Sequence, residues 1–252
     1  MLGRAMNVLR RIVDRSQGPQ VEGSAAPPPD MEPEFIELYE RFKAYSMTSI
    51  ERMYAFYQAL DYISTSGLEG DVVECGVWRG GSMMLGASTL MSRNQAHRKL
   101  FLYDTFAGMT EPTSKDVDYL GDAAKEKWWQ TKGWEWTCVS LDVVKSNMSM
   151  TGYPQDNQVF VQGDVLQTIP KVLPEKIALL HLDTDWYEST YHELVHLFPR
   201  IVPGGVVIID DYGHFKGARE AVDQYFREHN VKILLNRIDY TGRMGVVAGK
   251  GV

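Results

Sequence analysis

Two short runs hold the acidic residues best placed to do chemistry. One reads Leu179-Leu180-His181-Leu182-Asp183-Thr184-Asp185, the other Ile208-Ile209-Asp210-Asp211-Tyr212. Each is an apolar run ending in two aspartates, as expected of a buried strand that reaches the edge of its sheet. Four carboxylates ending two adjacent strands repel one another, and burial disfavours their ionised form. A divalent cation among them removes that cost. An all-oxygen donor set with room for water suits magnesium, with manganese or calcium as substitutes, rather than zinc. Alternation places Asp183 and Asp185 on one side of their strand, whereas Asp210 and Asp211 are expected in the turn after theirs. The competing use of these acids is to cap the helices that follow.

A second constellation ends three earlier apolar runs. The first runs into Glu74-Cys75-Gly76-Val77-Trp78-Arg79-Gly80-Gly81-Ser82. A glycine-rich turn there lets a ligand approach the backbone and the amides of the next helix. The G-x-x-x-G-G spacing lacks the third glycine of the dinucleotide fingerprint. The acid just before it, Glu74, suits a cationic amino group better than a pyrophosphate. Asp104, in Tyr103-Asp104-Thr105-Phe106-Ala107-Gly108, stands where a carboxylate accepts both hydroxyls of a ribose. Gly163 and Asp164 end the third run, where an adenine edge is expected. Together these features describe S-adenosylmethionine.

Other candidates are weaker. His192 and His196 have a metal-binding spacing, but no acid completes a zinc site and Leu194, Leu197 and Phe198 make the stretch core-facing. His214 follows Asp210-Asp211-Tyr212 closely enough to meet a substrate. No nucleophile-elbow or P-loop motif occurs.

These residues need a sheet to position them. Apolar runs at 72–77, 99–104, 158–162, 177–183 and 205–210 alternate with helix-like stretches near 81–95, 138–151, 187–200 and 215–229. That alternation predicts an α/β, doubly wound, mostly parallel sheet covered on both faces. Runs at 232–237 and 244–248 predict an antiparallel hairpin at its edge. Residues 35–70 read as a helical N-terminal layer, with stripes Phe35, Leu38, Phe42, Tyr45 and Met53, Phe56, Leu60, Ile63. Thr48 and Glu51 suggest a capping box. Residues 71–252 form the main domain. Within it, residues 110–137 hold four tryptophans (Trp128, Trp129, Trp134, Trp136), read either as an amphipathic helix with its tryptophans in the core or as a lid over an organic substrate. Residues 1–16 have a short amphipathic pattern and residues 17–34 a proline-rich linker; the helix would pack on protein or touch anionic lipid.

Composition narrows the partners. The 252 residues carry 26 Lys+Arg against 33 Asp+Glu, a net charge of −7, which disfavours nucleic acid. Two cysteines are too few for a disulfide framework or thiolate zinc site and fit a reduced, cytoplasmic setting. No apolar run is long enough to span a membrane. The N-terminal layer beside an exposed edge offers a surface for a homodimer.

Taken in order, Glu-Cys-Gly-Val-Trp-Arg-Gly-Gly, Asp-Thr-Phe-Ala-Gly, Leu-Asp-Thr-Asp-Trp-Tyr and Ile-Asp-Asp-Tyr resemble the macrocin O-methyltransferase (TylF-type) family over about residues 45–248. That family includes enzymes methylating sugar hydroxyls of macrolide and aminocoumarin antibiotics. The resemblance implies a class I methyltransferase fold, S-adenosylmethionine as donor and magnesium as the ion. It places the metal ligands on Asp183, Asp210 and Asp211, and the general base on Asp185. Cofactor contacts are implied at Glu74, Cys75, Gly76, Val77, Trp78, Arg79, Gly80 and Ser82. Further ones fall on Asp104, Thr105, Phe106, Gly108, Gly163 and Asp164, with Asp183 shared between donor and ion. The stretch from Thr48 to Met53 resembles the segment that closes over the cofactor. The acceptor expected is a small hydroxylated molecule, a glycoside first; a sugar on a secondary metabolite, a cell-surface glycan and a phenol stay open, because the tryptophan-rich stretch that would help select it differs from the family's antibiotic enzymes. Two rivals stay open. Asp183-Thr184-Asp185 also resembles the Asp-x-Asp element of metal-dependent glycosyltransferases, which leaves Glu74 to Gly81 unexplained. A non-catalytic module keeping the cofactor fold would have no use for the costly acids.

Overall fold

The computed structural model describes residues 28–131 and 135–248. The amphipathic stretch expected over residues 1–16, most of the expected linker and Trp134 lie outside them. Seven strands form one sheet in the order β3-β2-β1-β4-β5-β7-β6. They are β1 (Asp71–Cys75), β2 (Leu100–Asp104), β3 (Gln158–Gln162), β4 (Ile177–Leu182), β5 (Ile201–Ile209), β6 (Asn236–Arg237) and β7 (Arg243–Val246). The first five run parallel; β7 pairs antiparallel with β5 and with β6. This is the mixed doubly wound α/β sheet that the apolar runs predict.

Alternation along the strands divides the core. Val72, Leu100, Leu102, Leu179, Val206 and Ile208 face one way. They pack under α1 (Pro33–Phe42), α2 (Ile50–Thr65) and α3 (Gly81–Ser92). Val73, Phe101, Tyr103, Leu180, Leu182, Val207 and Ile209 face the other way, beneath α7 (Tyr187–Leu197) and α8 (Lys216–Glu228). Between them in the chain come α4 (Ala124–Gln130), α5 (Leu141–Ser149) and α6 (Val165–Thr168). Helix α3 has almost no polar face because it lies between the sheet and the N-terminal helices. Its Gly86 receives the ring of Phe56 from α2; a β-carbon there would come within 3.0 Å of that ring.

The order reverses between β1 and β4: β1, β2 and β3 extend to one side, β4 and β5 to the other. At such a switch point the loops leaving the carboxyl ends of the two strands diverge and open a crevice. The register there pairs Glu74 with His181 and Cys75 with Leu182.

Several expected boundaries move. The helical layer expected over residues 35–70 is broken: α1 gives way to a 3-10 turn at Lys43–Tyr45, and α2 starts again at Ile50. Its N-cap is Ser49, whose hydroxyl accepts from the Arg52 amide at 3.2 Å, not Thr48, whose hydroxyl is shared with Ser46. Strand β4 ends at Leu182, so Asp183 and Asp185 stand in the loop and strand alternation does not relate them. Asp210 and Asp211 do sit in the turn after β5. The hairpin is shorter than its apolar pattern, since Ile233 packs on Gly245 while pairing is confined to Asn236 and Arg237.

Candidate functional site

The glycine turn after β1 is held by an acid from the next strand. Asp104 Oδ2 accepts the amides of Val77 (2.7 Å) and Trp78 (3.1 Å), and Oδ1 accepts that of Phe106 (2.7 Å). Both oxygens of the carboxylate assigned to a ribose thus already brace the turn, leaving their remaining lone pairs for a ligand. Thr105 caps the same loop by donating to Gly108 O, and the Gly163 amide donates to Asp104 O at 2.9 Å. Asp164 spends one oxygen on the Leu166 amide as N-cap of α6.

Glu74 is buried at the end of β1. Its Oε1 lies 3.0 Å from His181 Nδ1, while Oε2 is buried without a hydrogen-bond partner. Burial pushes its carboxyl above the ordinary value, against the pull of His181. Glu74 lines a narrow cleft with Tyr45, Ser46, Met47, Thr48, Gly76, Val77, Trp78, Gly81, Ser82 and Asp183. Trp78 adds an indole N–H that is also buried and unpartnered, and the Arg79 guanidinium stacks 4.7 Å over its ring. One orphaned acceptor and one orphaned donor facing a single cleft fit a polar ligand with a cationic amino end. Cys75 is buried behind the cleft. Gly81 must lack a β-carbon, because the main chain of Tyr45 would lie 2.6 Å from it. The 45–48 segment is thereby seated on the first turn of α3. A larger open groove, about 590 Å³, lies along edge strand β3 and α5, and none of the acids described here lines it.

Across the crevice, His181, Asp183 and Asp210 bring ligand atoms within 4.8 Å of one another. Asp211 is not in that tight group, although its charge acts on Asp183 and on Arg52. Burial, with Asp210, Asp211 and Asp185, pushes the Asp183 carboxyl far above the usual range, Arg52 opposing them. Burial also works against ionisation of Asp210, but Arg52 and His181 outweigh it and hold Asp210 down to about 2. His181 is pushed up to about 9: burial disfavours its charge, yet Asp210 and Glu74 flank both its nitrogens. Arg52 pairs with Asp210 Oδ2 and lies 3.0 Å from Asp239 Oδ2, so its charge is held firmly.

The protein therefore supplies two cations of its own, Arg52 and His181, among Glu74, Asp183, Asp210, Asp211 and Asp239. The acids still outnumber them, and Asp210 Oδ1 is buried with no hydrogen-bond partner. The carboxylates of Asp183 and Asp210, close together and with Asp210 Oδ1 lacking a hydrogen bond, fit a hard dication. Arg52 lies in the stretch that resembles a segment closing over the cofactor, but nothing local pairs it with these acids, and Asp239 carries no local signal. His181 does, standing two residues before Asp183, but an imidazole inside an apolar strand reads as core.

The remaining candidates separate. Asp185 adopts a left-handed φ of 65°, beside Trp78 at 48° and Phe106 at 50°. Non-glycine residues held there are costly and cluster in ligand-binding loops. Thr184, between the two aspartates, donates to both oxygens of buried Glu193 on α7 (3.0 and 3.1 Å). Burial pushes Glu193 up to about 8, against bonds from Thr184 and Cys75. His192 bonds the Ile169 carbonyl through Nε2 at 2.8 Å and packs on His196, a structural role.

The tryptophan-rich stretch divides between packed and exposed rings. Trp128 packs with a small cluster of Ala124, Trp186, Phe215 and Ala218, whereas Trp129 is 62% exposed. Buried Asp116 ties the stretch down, accepting the Tyr187 amide at 2.8 Å, and Trp186 Nε1 donates to Thr110 O. Tyr119, His214 and Tyr240 form a solvent-facing aromatic cluster with centroids 5.4 to 6.1 Å apart.

A glycine turn for a donor with a cationic amino end, beside an acid cluster at the switch point of this sheet, defines an S-adenosylmethionine-dependent O-methyltransferase. The chain belongs to the macrocin-O-methyltransferase (TylF) family, whose profile matches residues 40–244. It is 32% identical over 216 residues to 8-demethyl-8-(2,3-dimethoxy-alpha-L-rhamnosyl)-tetracenomycin-C 4'-O-methyltransferase of Streptomyces olivaceus, covering 85% of this chain and 80% of that one. To mycinamicin III 3''-O-methyltransferase of Micromonospora griseorubida it is 32% identical over 199 residues, 79% and 77% of the two chains. The solved structure of the O-methyltransferase NovP superposes with a TM-score of 0.74 at 28% identity, covering 82% of this chain and 83% of NovP. Family membership removes the glycosyltransferase reading of Asp183-Thr184-Asp185. Among the described residues no helix is long and apolar enough to cross a membrane.

Proposed function

We propose that the protein transfers a methyl group from S-adenosylmethionine to a hydroxyl of a sugar on a natural product, using a divalent cation at Asp183, Asp210 and Asp211. The observation carrying this reading is that the donor turn and the acid loop share a wall. Gly76 packs on the main chain of Asp183, whose amide donates to Cys75 O at 2.8 Å. Reactants bound on either side are therefore close to contact, which is where most of the rate of a bimolecular transfer originates. The acceptor class is inferred from relatives whose names specify O-methylation of a rhamnosyl-tetracenomycin and of mycinamicin III.

Each side chain then has a task. Glu74 Oε2 and the Trp78 indole hold the amino-acid end of the donor, and the amides braced by Asp104 shape the turn around it. Residues 45–48 cover the cleft and exclude water. A sugar hydroxyl is a poor nucleophile at neutral pH; magnesium held by the aspartates supplies the positive charge that makes such a hydroxyl more acidic. Asp185, held at its unusual φ, accepts the hydroxyl proton within hydrogen-bond reach. Tyr119, His214 and Tyr240 offer the acceptor an aromatic wall, since the His214 amide donates to Asp211 O at 3.0 Å and so sets the cluster beside the acids.

Incubation with S-adenosylmethionine, magnesium and a panel of glycosides, read by mass spectrometry, tests this reading. A gain of one methylene mass on a sugar fragment is expected. Methylation confined to phenols, or absent from every glycoside, would contradict it.

A further inference from the structure

The chain that covers the donor cleft and the acid that would hold the ion are joined by one side chain. We infer that Arg52 is a positioning residue coupling the two, so that donor and ion bind cooperatively; this rests on the ion site proposed above. Residues 45–48 line the donor cleft, Ser49 caps α2, and Arg52 lies in its first turn. Three residues thus separate the cover from Arg52.

From that turn the guanidinium reaches across the sheet edge. It pairs with Asp210 Oδ2 and lies 3.0 Å from Asp239 Oδ2, with 12% of its side chain exposed. Ser49 Oγ donates to the same Asp239 oxygen at 2.9 Å. Asp239 is in turn fixed by the amides of Thr241 (2.9 Å) and Gly242 (2.7 Å). Thr241 Oγ1 closes the ring of contacts by donating to the main-chain oxygen of Asp210 at 2.7 Å.

This ring fixes the rotamer of Asp210. One oxygen is committed to Arg52, which leaves Oδ1 buried, without a hydrogen-bond partner and 3.7 Å from His181 Nε2. A carboxylate gripped through one oxygen presents the other in a set direction, as supporting residues do around metal ligands. Lifting the cover from the cleft withdraws Arg52 from Asp210 and releases that direction. Donor under the cover and ion at Asp210 therefore select the same arrangement. Ligands that select one state strengthen each other reciprocally.

Calorimetry with S-adenosylhomocysteine and Mg²⁺ or Mn²⁺ tests the coupling. The uncharged sulfur of this ligand removes direct repulsion between sulfonium and ion. In the wild-type protein, saturating Mn²⁺ is expected to tighten S-adenosylhomocysteine roughly tenfold, and S-adenosylhomocysteine to tighten Mn²⁺ by the same factor. In Arg52→Gln and in Asp239→Asn, which spares every proposed ion ligand, the factor falls to about twofold or less. Arg52→Lys is expected to fail likewise, because one ammonium does not span two carboxylates. Independent binding of ion and S-adenosylhomocysteine to the wild type would overturn the coupling and leave the ion site standing. So would full coupling in Arg52→Lys, or tighter Mn²⁺ binding by Arg52→Gln, which would make the guanidinium a competitor. If the wild type bound neither ion, the ion site itself would fall.

Discussion

Gly76 lies against the main-chain carbonyl of Asp183 with no room for a β-carbon between them. This contact brings the loop that cradles the donor and the loop that presents the acids to one wall. Both loops are strained there, with Trp78 and Asp185 in the left-handed region. Strain of this kind persists where the surrounding structure over-determines it. Here the Asp104 carboxylate fixes one loop and the Thr184–Glu193 pair the other.

Asp183 bears the crowding of the acids. Replacing it with Asn removes a carboxyl that burial, and then Asp210, Asp211 and Asp185, push upward. The ion-free Asp183→Asn protein is expected to melt higher by about 3 °C, taking roughly 1 kcal/mol of relieved repulsion at this chain size. The same variant should show no thermal shift on adding Mg²⁺. Scanning calorimetry with and without the ion measures both, and a destabilised variant that still responds to Mg²⁺ would contradict the assignment.

Asp185→Asn separates base from ligand. Turnover is expected to fall by about 10²- to 10⁴-fold, the usual size of a general-base contribution. Mn²⁺ affinity should stay near wild type. An unchanged rate removes Asp185 as base, and a matching loss of ion affinity would make it a ligand.

Glu193 should make stability depend on pH. Its folded value of about 8 lies above its ordinary 4.5, so the folded state holds a proton that the unfolded chain has released. That contribution is complete below about pH 4.5 and is lost as pH rises through about 8. Glu193→Gln keeps a neutral partner for Thr184, so stability between pH 5 and 8 should become flatter and, at pH 8, exceed wild type by on the order of 1 kcal/mol or more. Denaturant titrations at both pH values show the slope; an unchanged slope would refute the buried proton.

Tyr119 is 52% exposed, more than packing requires of an aromatic ring clustered with two others. Tyr119→Ala is expected to raise the acceptor KM roughly tenfold, about 1.4 kcal/mol of lost contact, with S-adenosylhomocysteine affinity unchanged. Equal KM values would take the aromatic wall out of acceptor binding.

The sheet was legible because its strands are short and nearly all apolar, and their ends are marked by acids and glycines. Asp210 and Asp211 fell in the turn as read, since two consecutive charges cannot both face away from a buried core. Period-two reasoning failed one residue further along β4, where the chain leaves the sheet at Leu182 and turns Asp185 through a left-handed φ. The break in the helical layer is hidden because its two stripes run on continuously, whereas the interruption at residues 46–49 serves the cleft. Arg52 meets Asp210 across 158 positions of sequence, a pairing no local pattern carries. Glu193 is hidden in its helix, where an acid between His192 and Leu194 gives no sign that it faces inward.

Methyl transfer to a responsive glycoside, followed as chelator is added in excess and Mg²⁺ then restored, probes the acid cluster most directly. Turnover is expected to fall by at least about a hundredfold and to return with the ion, S-adenosylhomocysteine binding persisting meanwhile. Undiminished turnover in chelator would show that Arg52 and His181 suffice to balance these aspartates and that no ion takes part.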